Sequence, residues 1–492
     1  MFNHRSAIAS LLLAAAPFAG AIVPTLLSGS AHAQDLTPRA GPQTQDIALV
    51  GIDAYPVDRE VITDACVVFS KGKITRIGAR AQVQPPQGAK VINLAQPDGT
   101  RLRAYPGLFA PFTTMGLEEI QAIKPSRDTS ETGSISPEAL ASVAVNPDTW
   151  FLPVARSNGV LLFGTFPSGN SIPGRASVIS ADGWTNEDLA LKPEAGLVVQ
   201  WPNVRVVRAR WMDLSDEEQQ KRITDSQDRI NGAFRQAQAY LAAKAADPAS
   251  VKTDLRWEAM RKVFPEFLPP TAPATQKPKP PELPTFITAQ EYDQILSALA
   301  FAKHFGLRPV IVGGRDAHLA AEQLKAAGAA VIIDTVKEIP RRDDAPYNAN
   351  FNLPARLKEL GVAFTIASGE ETAHERNLPY MAALAVAHGL SEPDALRAVT
   401  LSAAEILGVA DRVGSLSEGK DATLIITDGS PLEIRTRTLA AYINGRPIDL
   451  TNKQTVLAER YREKYRQMNE QKNQPKQDGA GAGAAPAREM PR

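Results

Sequence analysis

The sequence predicts an α/β chain, with a parallel sheet or barrel through its middle and strand-rich segments at both ends. Three observations carry this. Between Thr288 and Ala367 apolar strand-like runs alternate with helical stretches, at the spacing of roughly thirty residues that strand–helix units require. Asp46 to Leu94 reads as short β-rich segments, and so does Ala422 to Ile443. Both ends are therefore strand-formers around an alternating centre.

In order, Ile47-Ala-Leu-Val50 is apolar, Ala65-Cys-Val-Val-Phe69 is β-rich, and Lys71-Gly-Lys73 turns the chain tightly into Ile74-Thr-Arg-Ile77. A small antiparallel sheet is the simplest account. Ser215 to Ala246 is polar with helical spacing, and Pro265 to Pro284 is proline-rich enough to predict an extended loop; both read as insertions. Thr288 to Phe305 predicts a helix, Pro309-Val-Ile-Val312 a strand, Ala317 to Ala327 a helix. Ala330-Val-Ile-Ile333, closed by Asp334, is the next strand; Phe351 to Leu360 is helical and Val362 to Ala367 a further strand. Ala422-Thr-Leu-Ile-Ile-Thr427 and Leu439-Ala-Ala-Tyr-Ile443 return to strand. Thr451 to Gln471 is a charged helix with Leu457, Tyr461 and Tyr465 on one face, and the Gly-Ala-rich tail beyond it is expected to be disordered.

The first residues read as a cleavable secretory signal: His4 and Arg5, an apolar run from Ala7 to Leu27, and Ala31-His32-Ala33 as a small-x-small cleavage site before Gln34. Pro17, Gly20 and Pro24 inside the run argue against a membrane anchor, and no second long apolar stretch follows, so an exported, periplasmic or secreted chain without a membrane span is expected. Lys+Arg 54 balance Asp+Glu 54, which gives no charge-based reason to expect nucleic acid as a partner. Cys66 is the only cysteine, so an internal disulfide and any multi-cysteine metal site are excluded.

Gly389-Leu-Ser-Glu-Pro-Asp-Ala-Leu396, Ala398 to Gly408 and Val413-Gly-Ser-Leu-Ser-Glu-Gly-Lys-Asp-Ala-Thr-Leu424 closely resemble the amidohydrolase pattern GLSPEEALRAxTxNPAxxLGLxDRxGSLExGKDADL. Leu161 to Gly174 is similar to a segment of the imidazolonepropionase-like branch, and Ala104 to Leu117 resembles PGLIDxHxHxG. The resemblance implies a TIM-like (β/α)8 barrel carrying the active site and a small composite β-sandwich built from both chain ends. The implied division is residues 34–105 and 417–450 for the sandwich, 106–416 for the barrel with insertions at about 211–285, and 451–492 for the charged helix and tail. The implied activity is hydrolysis of non-peptide C–N bonds, in amides and cyclic amides, by a metal-bound hydroxide.

The ligands of that chemistry are replaced. Phe112 and Thr114 stand where the pattern has its two histidines, and Ser368 and Gly369 where the last-strand aspartate falls. A catalytic divalent metal takes nitrogen, thiolate or carboxylate donors, which phenyl and hydroxyl groups do not supply. No tightly bound cofactor is therefore expected, and zinc only at a rearranged site. The candidates for such a site are Asp316, Asp334, Glu370 and His374, with His318 and Glu371 beside them. His318, with Glu322 a turn later, reads also as a surface pair, and His374 as a loop residue after a barrel strand. Two functions follow: a C–N hydrolase with a rearranged site, or an inactive homologue that takes a small-molecule ligand in the barrel mouth or docks a partner, as a homo- or hetero-oligomer.

Overall fold

A computed structural model describes residues 39–208, 212–266, 279–342, 344–369 and 371–473. The expected signal, the middle of the proline-rich stretch, Glu370 and the expected disordered tail lie outside these residues.

The two chain ends form one eight-stranded sheet. The N-terminal part supplies β1 (Ile47–Ala54), β2 (Ile62–Ser70), β3 (Lys73–Ala79), β4 (Lys90–Asn93) and β5 (Leu102–Pro106). The C-terminal part supplies β14 (Leu424–Thr427), β15 (Thr438–Ile443) and β16 (Arg446–Ile448). The order is β16-β15-β14-β5-β1-β2-β3, with β4 beside β1, and the join is β14 antiparallel to β5, Ile425 opposite Tyr105. The expectation of an antiparallel sheet holds for the β1–β2–β3 meander and fails beyond it, because β4 and β5 both run parallel to β1. The connection that carries the chain from β3 back to β4 is long enough to restart it in the parallel sense, which a tight hairpin cannot do.

Alternation along these strands serves two faces. Leu49, Val67, Phe69, Leu424 and Ile426 pack into one core, while Ala48, Val50, Cys66 and Val68 meet Val83 on the other side. The Lys71-Gly72 turn has positive φ at both residues, 47° and 80°, the form that matches strand twist in a two-residue hairpin.

The second sheet runs in chain order through β6 (Leu108–Thr113), β7 (Val160–Thr165), β8 (Gly174–Ser180), β9 (Ala190–Gln200), β10 (Thr285–Ala289), β11 (Pro309–Gly313), β12 (Ala330–Ile333) and β13 (Phe364–Ile366). The eighth strand comes back beside the first, so the sheet is a nearly closed barrel. One strand departs from the regular strand–helix repeat: β8 is antiparallel to both β7 and β9. The short connection Phe166–Pro173, with Pro167, Gly169 and Pro173, has no room for a crossover helix.

Alternate positions again divide two cores. Phe109, Leu162, Val198, Phe286, Val312 and Ile332 share the inner cluster, which helix Leu401–Leu407 enters between β13 and β6. Leu161, Phe163, Leu197, Ile287, Ile311 and Val331 face the outer helices. Helix Asp216–Ala246, which composition sets apart as an insertion, is part of the β9–β10 crossover. It starts at a capping box of Ser215 and Glu218, and it packs Phe234 among Phe264, Phe301 and Phe305. The helix expected from Thr288 begins at Tyr292, because Thr285–Ala289 forms strand β10.

At the C-terminus, helix Lys453–Asn473 is capped by Asn452, whose side chain accepts from the Thr455 N–H at 3.0 Å. Its apolar face is exposed, Tyr461 and Tyr465 included. No helix among the described residues is long and apolar enough to cross a membrane.

Candidate functional site

The parallel barrel strands all point their C-terminal ends at one mouth, where barrels of this kind place their sites. A cavity of about 480 Å³ opens there. Phe112, Thr113 and Thr114 all line it, at the end of β6 where the strand register is irregular.

The four positions in question can now be described as surfaces. Phe112 lies edge-on to Phe166 with ring centroids 4.9 Å apart, and Phe166 repeats that contact on Phe286. An aromatic stack thus occupies the wall at the end of the first barrel strand. The Thr114 hydroxyl lies 2.8 Å from that of Thr372, tying β6 to the turn after β13. Ser368 is buried and does not line the cavity. Gly369 has φ +63°, and a Cβ added there would come within 2.2 Å of the Thr335 side chain. The close approach of the β12 and β13 ends therefore excludes a carboxylate at that position.

Asp334, just past β12, is the strand-end carboxylate of the mouth. It accepts from Gln290 Nε2 at 2.6 Å and from the Thr335 N–H at 2.9 Å. Burial pushes its carboxyl above the ordinary range, against the opposing pull of these two hydrogen bonds and of Arg315. Glu371 stands exposed at the rim. Glu118 is buried in the opposite wall with Arg127 3.6 Å away.

The other candidates are not brought to this mouth. Asp316 and His318 line a separate cavity of about 150 Å³ with Arg315, Arg342 and Arg356. Asp316 accepts from the Tyr292 N–H at 3.2 Å, so it holds the start of helix Tyr292–Phe305. His318 sits in the turn before helix Ala321–Ala326 rather than on its first turn, and Glu322 pairs with Lys325 instead. Burial and Arg356 push the His318 imidazole below its ordinary value. Arg315 is turned away onto Glu338, at 2.8 and 3.3 Å. His374 lies in the short helix Thr372–Asn377, half-buried and not lining the mouth. Glu370 lies outside the described residues.

This donor set does not fit the metal of a C–N hydrolase. Phenyl, hydroxyl and glycine occupy the ligand positions, and the one strand-end carboxylate is already held by an amide. Among the described residues no group of three or more His, Cys, Asp or Glu is placed to hold a metal ion. Gln200, which lines the mouth, and Gln290, which holds Asp334 from outside the lining, are residues that motif reading passes over. Reading the residue at or just past the end of each parallel strand finds both.

A family model described as "Amidohydrolase family" matches residues 303–460. An imidazolonepropionase from Syntrophobacter fumaroxidans (strain DSM 10017 / MPOB) is 37% identical over 102 residues, 20% of this chain and 23% of that protein. The match thus spans less than a quarter of that relative's length. Among solved structures, an amidohydrolase from Thermotoga maritima MSB8 aligns over 82% of this chain and 99% of its own, with a TM-score of 0.68 and 21% identity. The A. niger ochratoxinase aligns over 82% of this chain and 95% of its own at a TM-score of 0.46 and 13% identity. The T. maritima alignment reports the fold, and the family match is confined to residues 303–460. Residues 303–460 thus match the amidohydrolase family, a stretch of 102 residues is similar to an imidazolonepropionase, and the barrel has the fold of the T. maritima protein.

Proposed function

We propose that this chain is an exported amidohydrolase-fold protein whose barrel mouth binds a small organic ligand without a catalytic metal. The observation that carries this is the mouth itself: a 480 Å³ cavity kept open at the usual end of the barrel, with Phe112 and Gly369 in it where metal ligands would stand. A fold alone does not assign a reaction, so the argument rests on those side chains.

A second reading is metal-independent hydrolysis of a non-peptide C–N bond, the chemistry of the family. It is favoured by one feature, the tendency of Asp334 to hold its proton, which suits a general acid. Assays of the mature chain on cyclic amides and dipeptides, with and without chelator, separate the two. The first reading expects no turnover in either condition. Chelator-insensitive turnover abolished in Asp334→Asn would establish the second.

Export is proposed from Ala31-His32-Ala33 after the apolar run. N-terminal sequencing of protein from a periplasmic fraction should begin near Gln34. A product that retains Met1 contradicts export by this signal.

A further inference from the structure

Resting on the reading of the mouth as a metal-free binding site, we propose that its ligand is an ammonium or similarly N–H-rich cation carried on a small aromatic or apolar body, and that the mouth rejects carboxylate-bearing compounds.

The ionisable groups that line the mouth are all carboxyl groups. Gln290, which is not itself one of the residues lining the cavity, gives its amide N–H to Asp334, which is. Thr113 is 7% exposed and is one of the residues lining the cavity, and its buried Oγ1 has no hydrogen-bond partner. Buried polar atoms of this kind are normally satisfied, so the Thr113 hydroxyl marks one place in the wall where a polar group of a ligand belongs. Each Asp334 oxygen already accepts one hydrogen bond and, with two lone pairs, retains capacity for another.

Charge points the same way. Among the described residues that line the mouth there are three carboxylates, Glu118, Asp334 and Glu371, and no Arg, Lys or His. The neighbouring cations are directed elsewhere or stand outside the cavity: Arg127 pairs with Glu118, Arg315 with Glu338, and Lys337 on the same loop as Thr335 is not part of the wall. A ligand carboxylate would meet like charge with no counter-cation. An ammonium would find carboxylate acceptors, together with the ring of Phe112, whose face attracts cations. It would also favour the ionised form of Asp334, offsetting the effect of burial.

The test uses three probes of one size, benzylamine, benzamide and benzoate, titrated calorimetrically into the full mature chain at neutral pH. Benzylamine should bind saturably at one site and at least about tenfold more tightly than benzamide, an advantage of ~1.4 kcal/mol. Benzoate should show no binding. Glu371→Gln, at an exposed position, should leave the fold intact and weaken benzylamine severalfold, and Phe112→Ala should weaken it further. Benzamide or benzoate binding as tightly as benzylamine overturns the charge preference while keeping the mouth as a binding site. Benzylamine binding unchanged in both variants places it elsewhere and overturns the proposal. Absence of binding by all three to the folded protein overturns the reading of the mouth itself.

Discussion

Replacing Asp182 by alanine is expected to destabilise the protein by about 3–5 kcal/mol, the cost of leaving a buried charge without its partner. Asp182 follows β8, and its side chain and that of Arg156 are both 0% exposed, with nitrogen and oxygen 3.5 Å apart. Arg446, on β16, approaches the other carboxylate oxygen at 3.2 Å. Arg156 also donates to the Ala181 carbonyl at 3.2 Å. One carboxylate therefore joins a barrel helix to the composite sheet. Burial pushes the Arg156 guanidinium down from its ordinary value and the Asp182 charge opposes this, so without Asp182 only the weaker pull of Asp449 is left against the desolvation. Urea denaturation of Asp182→Ala reads the effect. Arg156→Met combined with Asp182→Leu should cost much less than the single change, since a buried pair replaced by apolar groups is often neutral. A loss below ~1 kcal/mol in the single variant would show that the pair is solvated in solution.

Deleting residues 423–450 is expected to loosen the N-terminal sheet, although none of its residues is removed. The deletion takes away β14, β15 and β16, so β5 loses the partner of Arg103, Ala104 and Tyr105. Leu424, Ile426 and Tyr442 leave the core that covers Leu49, Val67 and Phe69, and the edge contact of Phe69 on Tyr442, 5.2 Å between centroids, goes with them. Too few strands then remain with a covered face. Amide exchange across Ala65 to Ile77 should accelerate at least about a hundredfold, equivalent to ~2.8 kcal/mol of lost local stability. Unchanged protection there would mean that the N-terminal strands stand alone.

These two expectations show how unevenly the fold was legible. Strands β11 to β13 could be read from apolar runs such as Ala330–Ile333, because they are covered on both faces and their composition carries the signal. Strand β10 could not, since Thr285–Ala289 is five residues long and follows directly on a proline-rich stretch. The reversal of β8 was equally hidden. It depends on the length of one connection rather than on any pattern within the strand. Helix Asp216–Ala246 reads as an excursion because most of its surface is polar, yet Ile230, Phe234 and Leu241 are spaced to reach the core.

The site was legible by what it lacks. Phe112, Thr114 and Gly369 are positions that the motif resemblance assigns to ligands, and all three line the mouth. What fills the gap was out of reach, since the Gln290–Asp334 hydrogen bond joins the ends of two strands 44 positions apart. Asp316 looked equivalent to Asp334 as a strand-end acid, but the Gly313-Gly314 turn, with φ of 104° and 67°, carries the chain past the mouth before Asp316 is reached.

The claim that the mouth works without a metal is tested most directly by the metal content of the purified, dialysed mature protein, measured by mass spectrometry. The donor set at Phe112, Thr114, Ser368 and Gly369 predicts zinc and other divalent metals far below one equivalent, and unchanged ligand binding after chelation. Near-stoichiometric zinc, together with C–N bond hydrolysis that chelator abolishes, would contradict it.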